Sequence, residues 1–194
     1  MGLDYTNRRG TRYYVFQGET KTGKPKYFAS RKPDSDKGVR IETLPDEFEI
    51  FEHPGSTIVT IRKRKPTRVL PEERDLVHQT AIAKSACPTV LTLIDGDRIV
   101  VHTPQTEPML STELSERFGI FGRRLADEMS RTGAFNAEMR FTLVDAKFRV
   151  WQAERYCYRG SIDGWIEIGR RDFLDSLAEN LLPHLGRESF FELY

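Results

Sequence analysis

The sequence predicts an α+β fold in which antiparallel β-hairpins and a meander pack with about three helices, and the N-terminal part is rich in strands. Short runs of aromatic and β-branched residues alternate with glycine, proline and aspartate turns along most of the 194 residues. Longer segments instead place their apolar residues three or four positions apart, which is typical of amphipathic helices. The hydrophobic content of 38% is enough for a buried core.

The first third is predicted to contain two β-hairpins. Arg12–Gln17 and Lys26–Ser30 are short aromatic-rich runs separated by a segment that contains glycine and lysine. Phe48–Glu52 and Thr57–Arg62 flank a turn made of His, Pro, Gly and Ser. We expect these strands to form one small antiparallel sheet.

An internal boundary is predicted in the charged segment Lys63–Pro71, which contains two prolines. It divides the chain into a basic, β-rich unit at residues 1–66 and an α+β unit at residues 67–194. The alternative is one continuous compact domain. A helix is expected to begin at Pro71 and run to about Ala86, because proline suits the first helical position and acidic residues suit the first turn.

The middle of the chain is predicted to form a hairpin followed by a helix. Val90–Ile94 and Ile99–His102 are joined by a turn that contains Gly96, where a positive φ is needed. The helix is expected over Ser111–Arg131, because apolar residues recur there at helical spacing. Gly119 and a second glycine weaken its central turn.

The last part is predicted to be a three-stranded meander closed by a helix. The strands are Met139–Val144, Lys147–Tyr158 and Ile162–Ile168. Because large aromatic side chains bury much area, Trp151 and Trp165 are expected to anchor the core. The closing helix has an apolar stripe made of Phe173, Leu174, Leu177, Ala178, Leu181 and Leu182.

The segment Gly18–Pro25, GETKTGKP, matches most of the phosphate-binding pattern G-x-x-x-x-G-K-[ST]. Pro25 occupies the position of the Ser or Thr whose hydroxyl binds Mg²⁺. The residues between Pro25 and Pro33 are strand-like and too few for the helix that must follow the loop. We therefore interpret GETKTGKP as the loop of a β-hairpin whose lysines face solvent.

Asp145 and Lys147 motivate the hypothesis of an Mg²⁺-dependent, nuclease-like phosphodiesterase. In such enzymes carboxylates hold the metal and a lysine at a strand end positions the attacking water. Asp95 and Asp97, in an upstream hairpin, are the candidates for the other ligands. The competing interpretation is turn chemistry, in which each Asp side chain accepts hydrogen bonds from the backbone beyond it.

Other cofactor and targeting motifs are not found in the sequence. The four histidines are dispersed, and Cys87 and Cys157 are far apart without a C-x-x-C pattern. We therefore expect no metal and no cofactor. No apolar run approaches the roughly 18 residues of a membrane span, and no export leader is recognised, so we expect a cytoplasmic protein without a membrane partner.

Charge is distributed unevenly along the chain, although the net charge is +1. Residues 1–68 contain 15 Lys and Arg against 9 Asp and Glu, whereas residues 69–194 contain 15 against 20. Cations interleaved with aromatic rings are typical of proteins that contact phosphate backbones and stack on bases. The predicted contact residues are Lys21, Lys24, Lys26, Arg62, Lys63, Arg64 and Lys65.

The leading functional hypothesis is a non-enzymatic binding module whose basic N-terminal face contacts nucleic acid or an acidic partner. It is favoured because core and strand patterns are ample while no catalytic set is assembled. The alternatives are the nuclease-like enzyme and a subunit that binds another protein through an exposed sheet edge or apolar patch.

Overall fold

The computed structural model describes residues 2–87, 89–105, 108–158 and 163–194. It is 39% strand and 27% helix, so the predicted α+β class with a β-rich N-terminal part is confirmed. The strands are antiparallel and comprise β1 (Asp4–Thr6), β2 (Arg12–Glu19), β3 (Pro25–Ser30), β4 (Val39–Arg40), β5 (Phe48–Glu52), β6 (Val59–Lys63), β7 (Leu91–Ile94), β8 (Arg98–Pro104), β9 (Phe135–Asp145), β10 (Val150–Cys157) and β11 (Gly164–Phe173). The α-helices are α1 (Pro71–Lys84), α2 (Pro108–Thr132) and α3 (Leu174–Leu181).

The chain forms two compact units. The first consists of Met1–Arg64 and Thr106–Ala134, and therefore contains β1–β6 and α2. The second consists of Lys65–Gln105 and Phe135–Tyr194, and contains α1, β7–β11 and α3. The proposed domain division between residues 66 and 67 stays a prediction.

The first unit contains a four-stranded sheet and a separate two-stranded sheet. In the larger sheet β3 pairs along one edge of β2, while β1 and β4 pair along the other. β5 and β6 pair with each other. The expectation of one sheet is therefore wrong: β6 packs near β3 without joining its sheet, and the rings of Tyr27 and Phe48 lie 4.7 Å apart. Strands β1 and β4 escaped prediction because they are too short to show a periodicity.

The first unit is held together by a small apolar core and by the carboxylate of Glu52. Val15 and Phe16 are buried, and Phe16 stacks on Phe28 with ring centroids 5.4 Å apart. The Glu52 side chain is 8% exposed and accepts hydrogen bonds from the Tyr5 hydroxyl at 2.9 Å and from Arg8 Nε at 2.7 Å. Burial, and then the hydrogen bond to Glu52, raise the pKa of Tyr5. These contacts connect β5 to Arg8 and Tyr5, which precede Glu52 in the sequence by 44 and 47 positions.

The second unit is a five-stranded meander in the order β11-β10-β9-β8-β7. Helix α1 contacts β7 and β8, α3 contacts β10 and β11, and the two helices contact each other. Buried apolar side chains of the sheet and both helices form one continuous cluster that includes the fully buried Trp151. Arg149 connects the sheet to α1, since its Nε donates to Glu73 at 2.9 Å.

Two residues predicted to lie in this core are placed elsewhere. Trp165 is half-buried and lies outside the apolar cluster, so its predicted role as a core anchor is wrong. The Arg140 guanidinium lies 4.3 Å from the centre of its ring, and the Trp165 and Tyr156 rings are nearly perpendicular with their centres 5.3 Å apart. Phe173 ends β11, where it pairs with Val150 and is 59% exposed. The apolar stripe of α3 therefore begins at Leu174.

The remaining elements agree with the sequence prediction less closely at some ends: β9 begins at Phe135 rather than Met139, and β11 continues to Phe173 rather than ending at Ile168. Helix α1 ends at Lys84 rather than Ala86, because Ser85 has an extended conformation. The β7–β8 turn has the expected positive φ at Gly96. Gly119 breaks α2 with a non-helical φ of 56°, as expected from its weak helix propensity. Ile162, predicted to begin a strand, lies outside the described residues. Within those residues, no helix is both long and apolar enough to cross a membrane.

Candidate nucleic-acid interface

The GETKTGKP segment forms the turn between β2 and β3. The backbone N–H of Thr20 donates to Lys24 O at 2.8 Å, and the N–H of Gly23 donates to Thr20 O at 2.9 Å. Gly23 has a φ of 74°, and the N–H of Lys24 donates to Thr20 Oγ1 at 3.0 Å. A strand, rather than the helix of a P-loop, follows the turn. The hairpin interpretation is therefore confirmed.

This turn and the strand after it expose three of the predicted contact residues. Lys21 and Lys24 lie in the turn, and Lys26 lies on β3 directly opposite Gly18 of β2. We call Lys21, Lys24 and Lys26 the hairpin lysines. They belong to a short segment whose backbone is fixed by its own hydrogen bonds.

Arginines of the first unit are used differently from its lysines. Arg8 is paired with Glu52, and Arg12 is paired with Asp4. Arg31 Nε donates to the Tyr13 hydroxyl at 3.2 Å, and the Arg40 guanidinium lies 4.6 Å from the centre of the Tyr14 ring. Arg62 is paired with Glu49 at 2.7 Å and also lies 3.6 Å from the Phe51 ring. These arginines stabilise the fold through ion pairs, hydrogen bonds and ring contacts.

The lysines of the first unit are exposed and stand apart from such contacts. Within the described part of the chain, no ion pair, side-chain hydrogen bond or ring contact engages the ammonium groups of Lys21, Lys24, Lys26, Lys32, Lys37 and Lys63. Among the cations on and beside the strands β1–β6, these lysines are therefore the ones whose charged groups are not engaged within the protein. Because an ammonium is a compact, strongly hydrated point charge, it suits electrostatic contact with phosphates.

The second predicted cluster, Arg62–Lys65, is largely engaged within the protein. Arg64 follows β6, and its Nε donates to Phe48 O at 3.2 Å. Lys65 belongs to the second unit and forms an ion pair of 2.6 Å with Asp95. Together with the Arg62–Glu49 pair, these contacts leave Lys63 as the cation of this cluster without a partner among the described residues.

The candidate nuclease residues have structural partners. Arg68 donates to Asp97 through its backbone N–H at 2.9 Å and through Nε at 3.0 Å, and these contacts hold the pKa of Asp97 below its usual value. Asp145 Oδ1 accepts the backbone N–H groups of Lys147 at 2.8 Å and Phe148 at 3.0 Å. This is the geometry expected of an Asp turn. Over the described ranges, no group of three or more His, Cys, Asp or Glu is arranged to hold a metal.

The half-buried surface around Trp165 is a second place where rings and charges meet. Arg140 above the Trp165 ring is paired with Glu154 at 2.5 Å, and Tyr156 donates to Asp163 at 2.9 Å. Burial would raise the pKa of Glu154, but hydrogen bonds from Arg140 and Thr142 hold it below the usual value. The carboxylates of Glu154 and Asp163 disfavour phosphate at this surface.

Sequence reasoning did not find Lys37. The chain around it is brought to β2 by two glycines in close contact: a Cβ on Gly18 would lie 2.3 Å from Lys37 O, and a Cβ on Gly38 would lie 2.5 Å from Gln17 O. The signal available was the pair of glycines, but their contact spans 20 positions and depends on the tertiary fold.

Comparison with known proteins gives one partial similarity. No family model matches the chain, and no solved structure matches it. It is 28% identical over 109 residues to the DNA-directed RNA polymerase subunit Rpo1N of Methanococcus vannielii. The matched region covers 50% of this chain and 12% of that subunit, so the chain spans about an eighth of the length of this relative.

Proposed function

We propose that this chain is a non-enzymatic binding module that contacts nucleic acid through the hairpin lysines. The observation that carries the proposal is that Lys21, Lys24 and Lys26 are exposed next to one another and have no ionic partner among the described residues. A nucleic-acid backbone supplies regularly spaced negative charges, and its condensed counterions are released when ammonium groups replace them.

The partial similarity to a subunit of a DNA-directed RNA polymerase supports a nucleic-acid partner over an acidic protein. It covers too little of that subunit to support polymerase activity in this chain. The nuclease hypothesis has less support, because Asp97 and Asp145 already bond to Arg68 and to the turn backbone. For Asp97, the hydrogen bonds from Arg68 would compete with Mg²⁺ for both carboxylate oxygens.

The proposal is tested by the fluorescence anisotropy of short labelled single-stranded and double-stranded oligonucleotides. Binding should weaken steeply between about 50 and 200 mM salt. Replacing all three hairpin lysines by Ser should lower the affinity at least about tenfold and reduce the salt slope by about 2 units, since each phosphate contact contributes about 0.7–0.9. Replacing them by Arg keeps the charge and should preserve most of the affinity.

A matched pair of double variants separates the two predicted clusters. Lys21→Ser with Lys24→Ser removes two unpartnered cations, whereas Arg62→Ser with Lys65→Ser removes two cations that pair with Glu49 and Asp95. We expect the first variant to lose more affinity, because its charges are free to contact phosphate. An equal or larger loss from the second variant would assign binding to Arg62–Lys65 instead. If neither the single-stranded nor the double-stranded oligonucleotide binds at low salt, the proposed function is rejected.

A further inference from the structure

The contact between Gly18 and Gly38 places the backbone of Lys37 beside the β2–β3 hairpin. Lys26 faces Gly18 from β3, and the backbone of Lys37 approaches Gly18 from the other side of β2. Lys26 and Lys37 therefore belong to chain segments on either side of one strand, and neighbouring strands lie about 4.8 Å apart. We call the hairpin lysines and Lys37 together the lysine corner.

We infer that the lysine corner recognises the phosphate backbone of a nucleic acid and does not read its bases, an inference that rests on the proposed function. Base readout depends on side chains that present paired donors and acceptors, among which arginine is prominent. Arg12, Arg31, Arg40 and Arg62, four arginines on or beside these strands, are held by carboxylates, a hydroxyl or aromatic rings. The corner itself offers ammonium groups, which contribute charge without a fixed fork geometry.

The surroundings of Lys37 favour an extended polymer over a compact anion. Lys37 lines a groove of about 490 Å³ together with Gln17, Gly18, Glu19, Gly38, Val39 and Ile41. The carboxylate of Glu19 in this groove repels any phosphate group, and Asp34 and Asp36 lie on the chain just before Lys37, so a phosphate held by Lys37 alone would bind weakly. A polymer binds more tightly than a single phosphate, because its phosphates contact several lysines at once.

The decisive variant is Lys37→Ser, and its matched control is Lys32→Ser. Both lysines are exposed and unpartnered among the described residues, but Lys32 follows the end of β3 that is remote from Lys26. Lys37→Ser should reduce the salt slope for a single strand by about 0.7 and lower its affinity several-fold, uniformly across sequences. Lys32→Ser should change both less. Equal effects of the two substitutions would overturn the assignment of Lys37.

Gly18→Ala tests how the corner is assembled. Its methyl group would meet the carbonyl of Lys37, so the segment carrying Lys37 must move. The variant should reproduce the loss caused by Lys37→Ser, and adding Lys37→Ser to it should cause little further loss. If the variant does not fold, which circular dichroism shows directly, Lys37→Ser still tests the inference by itself.

Sequence independence is measured with oligonucleotides of one length and shuffled sequence. The inference predicts equal affinities, whereas base readout would typically separate them about five- to 150-fold per position. Inorganic polyphosphate should compete, and inorganic phosphate at equal phosphorus concentration should not. A marked sequence preference, or polyphosphate that fails to compete, would overturn the inference while leaving the proposed function intact. Failure of every oligonucleotide to bind would reject the proposed function itself.

Discussion

The two units of the molecule are stabilised in different ways. In the second unit a meander and two helices enclose a continuous apolar cluster around Trp151. The first unit has a smaller set of buried apolar side chains and depends additionally on polar contacts such as those of Glu52. The comparison teaches that the arginines on and beside the strands of the first unit are largely structural. Around these strands, the described cations without an ion pair, side-chain hydrogen bond or ring contact are consequently lysines, and these are available to a partner.

The largest expected effect comes from breaking the apolar cluster. Trp151→Ala should lower the free energy of unfolding by about 3–5 kcal/mol, because it removes a fully buried aromatic side chain and leaves a cavity. Trp165→Ala is the matched control and should cost about 1 kcal/mol, since it mainly removes the Arg140 contact. Urea unfolding measures both. Equal losses would show that Trp165 contributes as much to the packing of the fold as Trp151 does.

A smaller effect is expected from the polar centre of the first unit. Glu52→Gln should lower stability by about 2 kcal/mol, because it weakens charge-assisted hydrogen bonds to the largely buried carboxylate. Glu49→Gln removes the ion pair with Arg62, whose side chains are about 30% exposed, and should cost less than about 1 kcal/mol. Thermal unfolding followed by circular dichroism compares them. A loss for Glu49→Gln as large as that for Glu52→Gln would contradict the proposed role of burial.

Most of the secondary structure could be predicted because it is encoded locally. The β2–β3 hairpin follows from aromatic runs on either side of a glycine-bearing loop, and the break in α2 follows from Gly119. The position of Trp165 could not be predicted, because side-chain size indicates how much area can be buried but not which face of a strand meets the helices. Its neighbour in space, Arg140, lies 25 positions away.

The candidate site was predictable in composition but not in pairing. The sequence located the positive charge in the first third, yet treated Arg62 and Lys24 alike. Only the register of β5 and β6 places Glu49 opposite Arg62, where the two side chains form an ion pair. Arg62 is therefore not available to a partner. Lys37 was missed for a related reason, since the contact of Gly18 with its carbonyl depends on how β4 joins the sheet.

The smallest predicted effect concerns two glutamates of the second unit, Glu154 and Glu138, whose pKa values are shifted in opposite directions by the fold. The pKa of Glu154 is lowered in the fold, where hydrogen bonds from Arg140 and Thr142 outweigh burial, whereas burial raises the pKa of Glu138. Glu154 therefore contributes stability that is present above its unfolded pKa of about 4.3 and is lost as the pH falls through the lower folded value. Glu138 has the opposite dependence: its favourable contribution is present below about pH 4.3 and is lost as the pH rises through the folded value.

Two single variants test this difference by urea unfolding at neutral and acidic pH. At pH near 7, Glu154→Gln should be less stable than the wild type and Glu138→Gln more stable, each by about 1 kcal/mol or less. Both differences should shrink on acidification, because protonation makes the native carboxyl groups resemble the amide. A Glu138→Gln variant that is destabilised at neutral pH would mean that the Glu138 carboxylate has a favourable partner, and that its burial is not the dominant influence on its charge.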